Sequence, residues 1–183
     1  MENELTKQYT QIVSADNGVG ATGIALFGPD DLVKYEKFPT KSTLNYQKEE
    51  AHITRVDVPA LRKLFQAWNL SKDNTLVVLE RPMINGTRFK ASMSAMRCFE
   101  ATLIVIEEFQ LDYIVIDSRS WQSILLPGII GSDELKKASL ALGQKLFPQF
   151  KQKRDSDSLL IGYYYKNQQT LTPPTKPKTK KTL

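Results

Sequence analysis

The chain has 183 residues, a length typical of one domain with a sizeable core, and its 41% hydrophobic and 9% aromatic residues are ordinary for a globular protein. A single cysteine, Cys98, excludes an internal disulfide and favours a reducing compartment. No apolar run is long enough for a membrane span and the amino terminus lacks a signal-peptide pattern, so we expect a cytoplasmic protein with no membrane partner.

The net charge of +5 is unevenly placed. From Lys166 onward the chain contains lysines but no acid, so this stretch carries the whole excess and the remainder is about neutral. Prolines and threonines alternate with these lysines. We therefore predict one domain over 11–166 and a disordered basic tail over 167–183, which either contacts polyanions or aids solubility.

The amino-terminal part predicts a strand meander followed by a helix. Three apolar runs have strand length and are separated by turn residues: 11–15, 23–27 and 32–38. Residues 40–50 are polar, and we expect them to form a loop. Between Val58 and Trp68 the apolar side chains recur at helical spacing, and Pro59 suits the first turn of that helix.

The second part predicts two central strands and three helices. Residues 75–79 and 113–116 are apolar throughout, which is typical of buried parallel strands. The predicted helices are 93–109, capped by Ser92 or Ser94; 132–147, capped by Ser132 or Asp133; and one that begins at Asp155 or Asp157. The order β-β-β-α-β-α-β-α-α predicts an α/β fold, with a mixed five-stranded sheet and helices on both faces. The ribonuclease H-like fold has the same order.

Acidic residues stand where these elements end or begin. Asp16, Glu80 and Asp117 each follow a predicted strand, and Asp155 and Asp157 open the last helix. Each of them alone has a plain structural explanation as a turn former or helix cap, with Glu80 the least suited to such a role. Because functional crevices of open α/β sheets lie beyond the carboxyl ends of the strands, the joint pattern predicts that the acids converge.

A crevice with several carboxylates needs a cation to offset their repulsion. Oxygen ligands select Mg²⁺ or Mn²⁺, and the single His and single Cys, far apart in the chain, disfavour zinc. Two such ions roughly 3.5–4 Å apart can activate a water and stabilise the leaving oxygen of a phosphodiester. The pattern therefore favours a metal-dependent nuclease.

Short motifs accompany the acids in a fixed order. They are Asp16-Asn-Gly18-Val-Gly20-Ala-Thr22-Gly23, Leu79-Glu-Arg-Pro82, the stretch 86–97, Trp121-Gln122, the stretch 133–139, and 146–162. Together, from about Ile12 to Tyr165, they resemble the RuvC family of Holliday-junction resolvases, in particular the phage-type crossover junction endodeoxyribonucleases of the ribonuclease H-like superfamily. In one respect the chain departs from that family. The family places its last two metal-binding positions three residues apart, whereas Asp155 and Asp157 are two residues apart.

The resemblance implies a site with two Mg²⁺ ions, for which Mn²⁺ may substitute. Asp16, Glu80 and Asp157 would be catalytic ligands. Asp155 would join them only if it lies ahead of the helix. On a helix, side chains two positions apart are rotated by about 200° from each other and cannot face the same site. Asp117 is a further candidate ligand. The resemblance also implies a catalytic Lys136, which from its position alone could equally belong to a solvated helix face shared with Lys137. Cations on loops that flank the predicted crevice would offset backbone phosphates, and the candidate DNA-binding residues are Arg81, Arg88, Lys90, Lys136, Lys137, Lys153 and Arg154.

By the same resemblance, we expect a homodimer that cuts four-way junctions, and other branched DNA, by paired nicks in a bacterial or phage-infected cell. The apolar helix after Glu80 is the candidate dimer interface. Two alternatives remain open from the sequence. An actin-like or sugar-kinase-like ATPase would share the Asp-x-Gly opening, although the chain is short for a second lobe. A catalytically silent junction-binding module would keep the acids as helix and turn caps.

Overall fold

The structure, a computed structural model, describes residues 8–17, 23–44, 52–152, 156–168 and 170–171. Its strands are β1 (Gln11–Ala15), β2 (Gly23–Phe27), β3 (Leu32–Lys37), β4 (Thr40–Leu44), β5 (His52–Val56), β6 (Thr75–Glu80) and β7 (Asp112–Ile116). Its helices are α1 (Val58–Ala67), α2 (Phe89–Glu108), α3 (Ser118–Leu125), α4 (Ser132–Leu146) and α5 (Asp157–Asn167), with a 3-10 turn at Gly86–Arg88. None of the helices in these ranges is long and apolar enough to cross a membrane.

The main sheet has five strands in the order β3-β2-β1-β6-β7, which confirms the predicted mixed sheet. Strand β1 pairs antiparallel with β2 and parallel with β6, and β6 pairs parallel with β7. In this register Ala15 lies beside Leu79, and Glu80 lies beside Ile116. The carboxyl ends of β1, β6 and β7 therefore meet at one edge of the sheet.

Both faces of the sheet are covered by helices. Alternate residues of β1 and β6 point to opposite faces, so Val13 and Val77 join the core formed with α1 and α2, whereas Ile12 and Val78 join the core formed with α3 and α5. Each such buried side chain contributes on the order of 1.5–3 kcal/mol to folding. Cys98 is buried in the first of these cores, as its apolar surroundings in the sequence predict.

The segment expected to be a loop contains a strand. Residues 40–44 form β4, which pairs antiparallel with β5 in a separate two-stranded sheet, and β5 packs on α2. Most of β4 is exposed, so its sequence lacks the alternation of apolar and polar residues that reveals a half-buried strand. The rest of the expected loop, 45–50, lies outside the described residues.

Several helix starts differ from the predictions. Helix α2 begins at Phe89, and Ser92 does not cap it, because the Ser92 hydroxyl accepts the Asn85 N–H at 2.9 Å and donates to the Asn85 carbonyl at 3.0 Å. Helix α4 follows Gly131, whose φ of 100° makes the turn, rather than a side-chain cap from Ser132 or Asp133. The stretch after Asp117 forms the additional helix α3.

Helix α5 packs closely on the sheet, because the residue at the point of contact is Gly162, which has no side chain. A Cβ on Gly162 would overlap the ring of Phe27 and the hydroxyl of Ser14. One turn earlier, the Ser14 hydroxyl donates to the Ser158 carbonyl at 2.7 Å. The amino-terminal end of α5 is thus fixed against β1, and Asp157, its first residue, is carried toward the carboxyl end of that strand.

Candidate active site

A pocket of about 300 Å³ opens at the carboxyl ends of β1 and β6. Three of the predicted acids line it, each from a different element: Asp16 after β1, Glu80 at the end of β6 and Asp157 at the start of α5. Arg81 and Lys136 line it as well. The remaining lining residues are Asn17, Pro82, Met83, Ala95, Ser118, Gln122, Ser132 and Leu135. The fold therefore brings together acids that are up to 141 positions apart in the chain (157 − 16).

Glu80 is held in an environment that disfavours its charge. Burial, and then the neighbouring carboxylates of Asp16 and Asp157, raise the pKa of Glu80 to about 8. The indole of Trp121 opposes this shift by donating from Nε1 to Glu80 Oε1 at 3.1 Å. A carboxyl group in this condition binds a proton at neutral pH unless a cation replaces it.

Asp157 is oriented by a network on α4 and the segment before α5. The Ser139 hydroxyl donates to Asp157 Oδ1 at 2.5 Å and accepts the Ser156 N–H at 3.1 Å. The Ser156 hydroxyl donates to Gln152. Gly143, one turn after Ser139, allows this approach, since a Cβ there would overlap Ser156. Helix α4 thereby sets the position of Asp157.

Asp117 has a different place from the other acids. Its side chain accepts the Arg119 N–H at 3.0 Å and so caps α3. It is exposed, and its charge is the last of the causes that raise the pKa of Glu80. The cap explains why an Asp follows β7, as turn chemistry alone suggests. Its neighbour Ser118, rather than Asp117, lines the pocket.

The predicted DNA-binding cations fall into three groups. Arg81 and Lys136 line the pocket. Arg88, Lys90 and Lys137 are exposed and lie outside its lining. Lys153 and Arg154, together with the candidate ligand Asp155, lie outside the described residues.

The donor set of the pocket suits a hard cation. Carboxylate oxygens from Asp16, Glu80 and Asp157 are ligands that Mg²⁺ and Mn²⁺ prefer. Burial and then the repulsion from Asp16 and Asp157 raise the pKa of Glu80, and a cation would relieve that repulsion. In the part of the chain that the structure describes, however, no group of three His, Cys, Asp or Glu side chains is arranged so that it could hold one ion.

Two polar residues of the site have no counterpart in the sequence predictions. Ser139 holds Asp157 from 18 positions away, a contact that only the packing of α4 creates. Asn17 is 5% exposed and lines the pocket beside Asp16. An Asn before a glycine is common in turns, so nothing in the sequence distinguishes it.

The fold is similar to that of solved RuvC structures. Thermus thermophilus RuvC in complex with a Holliday-junction substrate is similar with a TM-score of 0.57 and 12% identity, over 90% of this chain and 99% of that one. Thermus thermophilus RuvC alone gives 0.55 and 12%, over 89% and 99%. A fowlpox virus resolvase with Holliday-junction DNA gives 0.49 and 15%, over 86% and 99%. No protein-family model matches the chain, and no curated protein matches it.

At such identities the similarity to RuvC establishes the fold. The chain has the RuvC-like arrangement of the ribonuclease H-like fold, a mixed five-stranded sheet with helices on both faces, as the sequence predicts.

Proposed function

We propose that the protein is a metal-dependent endonuclease that resolves four-way DNA junctions. The observation that carries this proposal is the convergence of Asp16, Glu80 and Asp157 in one pocket, at the carboxyl edge of a sheet with the RuvC fold. Acids in such a crevice suit divalent metal ions, and the neighbouring cations Lys136 and Arg81 suit a phosphate group of the substrate. One of the similar RuvC structures contains a Holliday-junction substrate, and this supports branched DNA as the substrate class.

In this proposal, different residues of the pocket bind the metal ions, bind the phosphate and position the ligands. Asp16, Glu80 and Asp157, with Asp155 as the fourth ligand, would hold two Mg²⁺ or Mn²⁺ ions, and these ions supply an activated water and a counter-charge for the leaving oxygen when bound. Lys136 and Arg81 line the same pocket, where cationic donors bind and orient the phosphate. Ser139 keeps Asp157 in position.

Cleavage of branched DNA tests the proposal directly. We expect paired nicks in a four-way junction with Mg²⁺ or Mn²⁺, none in EDTA, and a loss of at least about a thousandfold in Asp16→Asn, measured with each strand labelled in turn. Asp73→Asn, an exposed acid in the loop before β6, is the matched control and should cleave like the wild type. Flaps, forks and linear duplex complete the panel.

Junction binding without cleavage in either metal would contradict the proposal and favour the non-catalytic junction-binding module. Equal cleavage by Asp16→Asn and wild type would also contradict it, since the nuclease would then lie elsewhere.

We further propose that two copies associate through α2. The outward face of this helix carries Phe89, Met93, Met96 and Ile104, whose exposed fractions are 68%, 40%, 41% and 45%. At about 100° per residue these positions fall within roughly a quarter of the helix circumference, opposite the buried Cys98 and Val105. An apolar stripe of this kind on one face is typical of a helix–helix interface.

Charge placed in this stripe should separate the copies. Met96→Glu is expected to shift the protein from dimer to monomer in analytical ultracentrifugation, because a carboxylate cannot be buried unpaired between two helices. Such a monomer should make single nicks in place of paired ones. Gln66→Glu, exposed on α1, is the control and should remain dimeric. A wild type that sediments as a monomer at micromolar concentration on junction DNA would contradict this interface.

A further inference from the structure

The side-chain amide of Asn17 is buried beside the pocket and makes no hydrogen bond to a described residue. It is 5% exposed, follows Asp16 directly and lines the pocket with Glu80, Lys136 and Asp157. Among the residues that the structure describes, neither Asn17 Oδ1 nor Asn17 Nδ2 has a hydrogen-bond partner. A buried amide normally has its donors and acceptor satisfied, so this one requires an explanation.

The described part of the chain shows no structural role for this amide. Asn in a turn usually bonds its side chain to the backbone two residues further on, and no hydrogen bond of this kind is made with the described part of the chain. On folding the amide loses its bonds to water, and no described residue replaces them, which costs stability. Such a cost persists where the group serves a ligand, and the pocket is where a ligand would bind.

We infer that Asn17 is a substrate-contacting residue of the nuclease site. Its Nδ2 donates to a non-bridging oxygen of the phosphodiester, and its Oδ1 accepts from a water beside that phosphate. The charged groups of the pocket support this role, because ionised carboxylates offer acceptors only and Lys136 offers donors only, whereas the neutral amide of Asn17 offers both. The inference rests on the proposed function and assigns a residue to it.

The test compares two substitutions of Asn17 with a matched control. Asn17→Ala removes both polar atoms, and Asn17→Asp keeps the shape while replacing the donor with a negative charge. The control is Thr43→Val, because Thr43 Oγ1 on β4 is another buried atom that no described residue bonds, and it lies outside the pocket lining. Junction cleavage and thermal unfolding are measured for all four proteins.

We expect Asn17→Ala to cleave about ten- to a hundredfold more slowly than wild type, as for a lost hydrogen bond to a charged group. Its melting temperature should fall by no more than about 2 °C, since the substitution removes no hydrogen bond to a described residue. Asn17→Asp should cleave more slowly still, because its carboxylate repels the phosphate. Thr43→Val should keep both the cleavage rate and the melting temperature.

Three results would overturn the inference. Wild-type cleavage by Asn17→Ala would remove any contact with the substrate, and a fall of more than about 4 °C in its melting temperature would assign Asn17 to the fold. Cleavage by Asn17→Asp at or above the wild-type rate would mean that the side chain acts as an oxygen ligand rather than a donor. If the wild type itself cleaves no branched DNA, the proposed function fails, and this outcome is separate from the other three.

Discussion

Glu80→Gln is expected to abolish cleavage and yet to make the metal-free protein more stable. Cleavage should fall by at least about a thousandfold, because a neutral amide is a poor substitute for a metal-binding carboxylate. Stability should rise because burial and the charges of Asp16 and Asp157 disfavour ionised Glu80. Glutamine keeps an oxygen that accepts the Trp121 indole N–H.

The stabilisation should depend on pH in a defined direction. The pKa of Glu80 is raised from 4.5 to about 8 in the folded protein, so the contribution of its protonated form is complete below about pH 4.5 and is lost as the pH rises through about 8. Glutamine does not titrate. The variant should therefore melt close to the wild type at about pH 5 and at least about 3 °C higher at about pH 8.5, the equivalent of roughly 1 kcal/mol.

Differential scanning fluorimetry in EDTA across this pH range is the measurement. Glu36→Gln, an exposed acid on β3, is the control, and its difference from wild type should not change with pH. A Glu80→Gln protein that melts below wild type at about pH 8.5 would show that the carboxylate is stabilised where it lies, contrary to the repulsion described for the pocket.

Gly162→Ala is expected to destabilise the fold and to impair the site together. The added methyl group would overlap the Phe27 ring and the Ser14 hydroxyl, so α5 must move away from the sheet. Overpacking of this kind costs about 2–3 kcal/mol, which lowers the melting temperature by about 5–10 °C. Because Asp157 is the first residue of α5, junction cleavage should fall as well.

A smaller side chain opposite the glycine should restore part of the loss. In the double variant Gly162→Ala with Phe27→Leu, we expect the melting temperature to fall by less than the sum of the falls in the two single variants. The two residues share one contact, so their effects are not additive. Gly86→Ala serves as the control, because a Cβ there meets nothing within 4 Å. Full stability of Gly162→Ala alone would mean that α5 does not lie on the sheet at this distance.

The strongest local patterns in the sequence were sufficient for much of the fold. The uninterrupted apolar run at 75–79 predicts a central strand, and β6 occupies Thr75–Glu80 between β1 and β7. The helical spacing from Val58 predicts α1, which ends at Ala67. The short strand β4 was missed because its mostly exposed residues carry no periodic apolar signal.

Part of the candidate site can likewise be predicted from local sequence patterns, and part cannot be compared with the structure. Asp16, Glu80 and Asp157 were found from the sequence because acids directly after strands and at a helix start are visible as motifs, and the parallel pairing of β1 with β6 makes two of them neighbours. The roles proposed for Asp155, Lys153 and Arg154 stay predictions, since those residues lie outside the described ranges. The tail from 172 onward lies outside them as well.

The sequence by itself determined most of the element types, the mixed sheet and the acids that gather at its edge, because these depend on local periodicity and on the rule that parallel strands end together. Only the tertiary structure decided how those acids are held. The hydroxyl of Ser139 on Asp157, the indole of Trp121 on Glu80 and the buried amide of Asn17 depend on contacts between distant segments. Such contacts leave no local pattern, since they arise from how closely the helices pack onto the sheet.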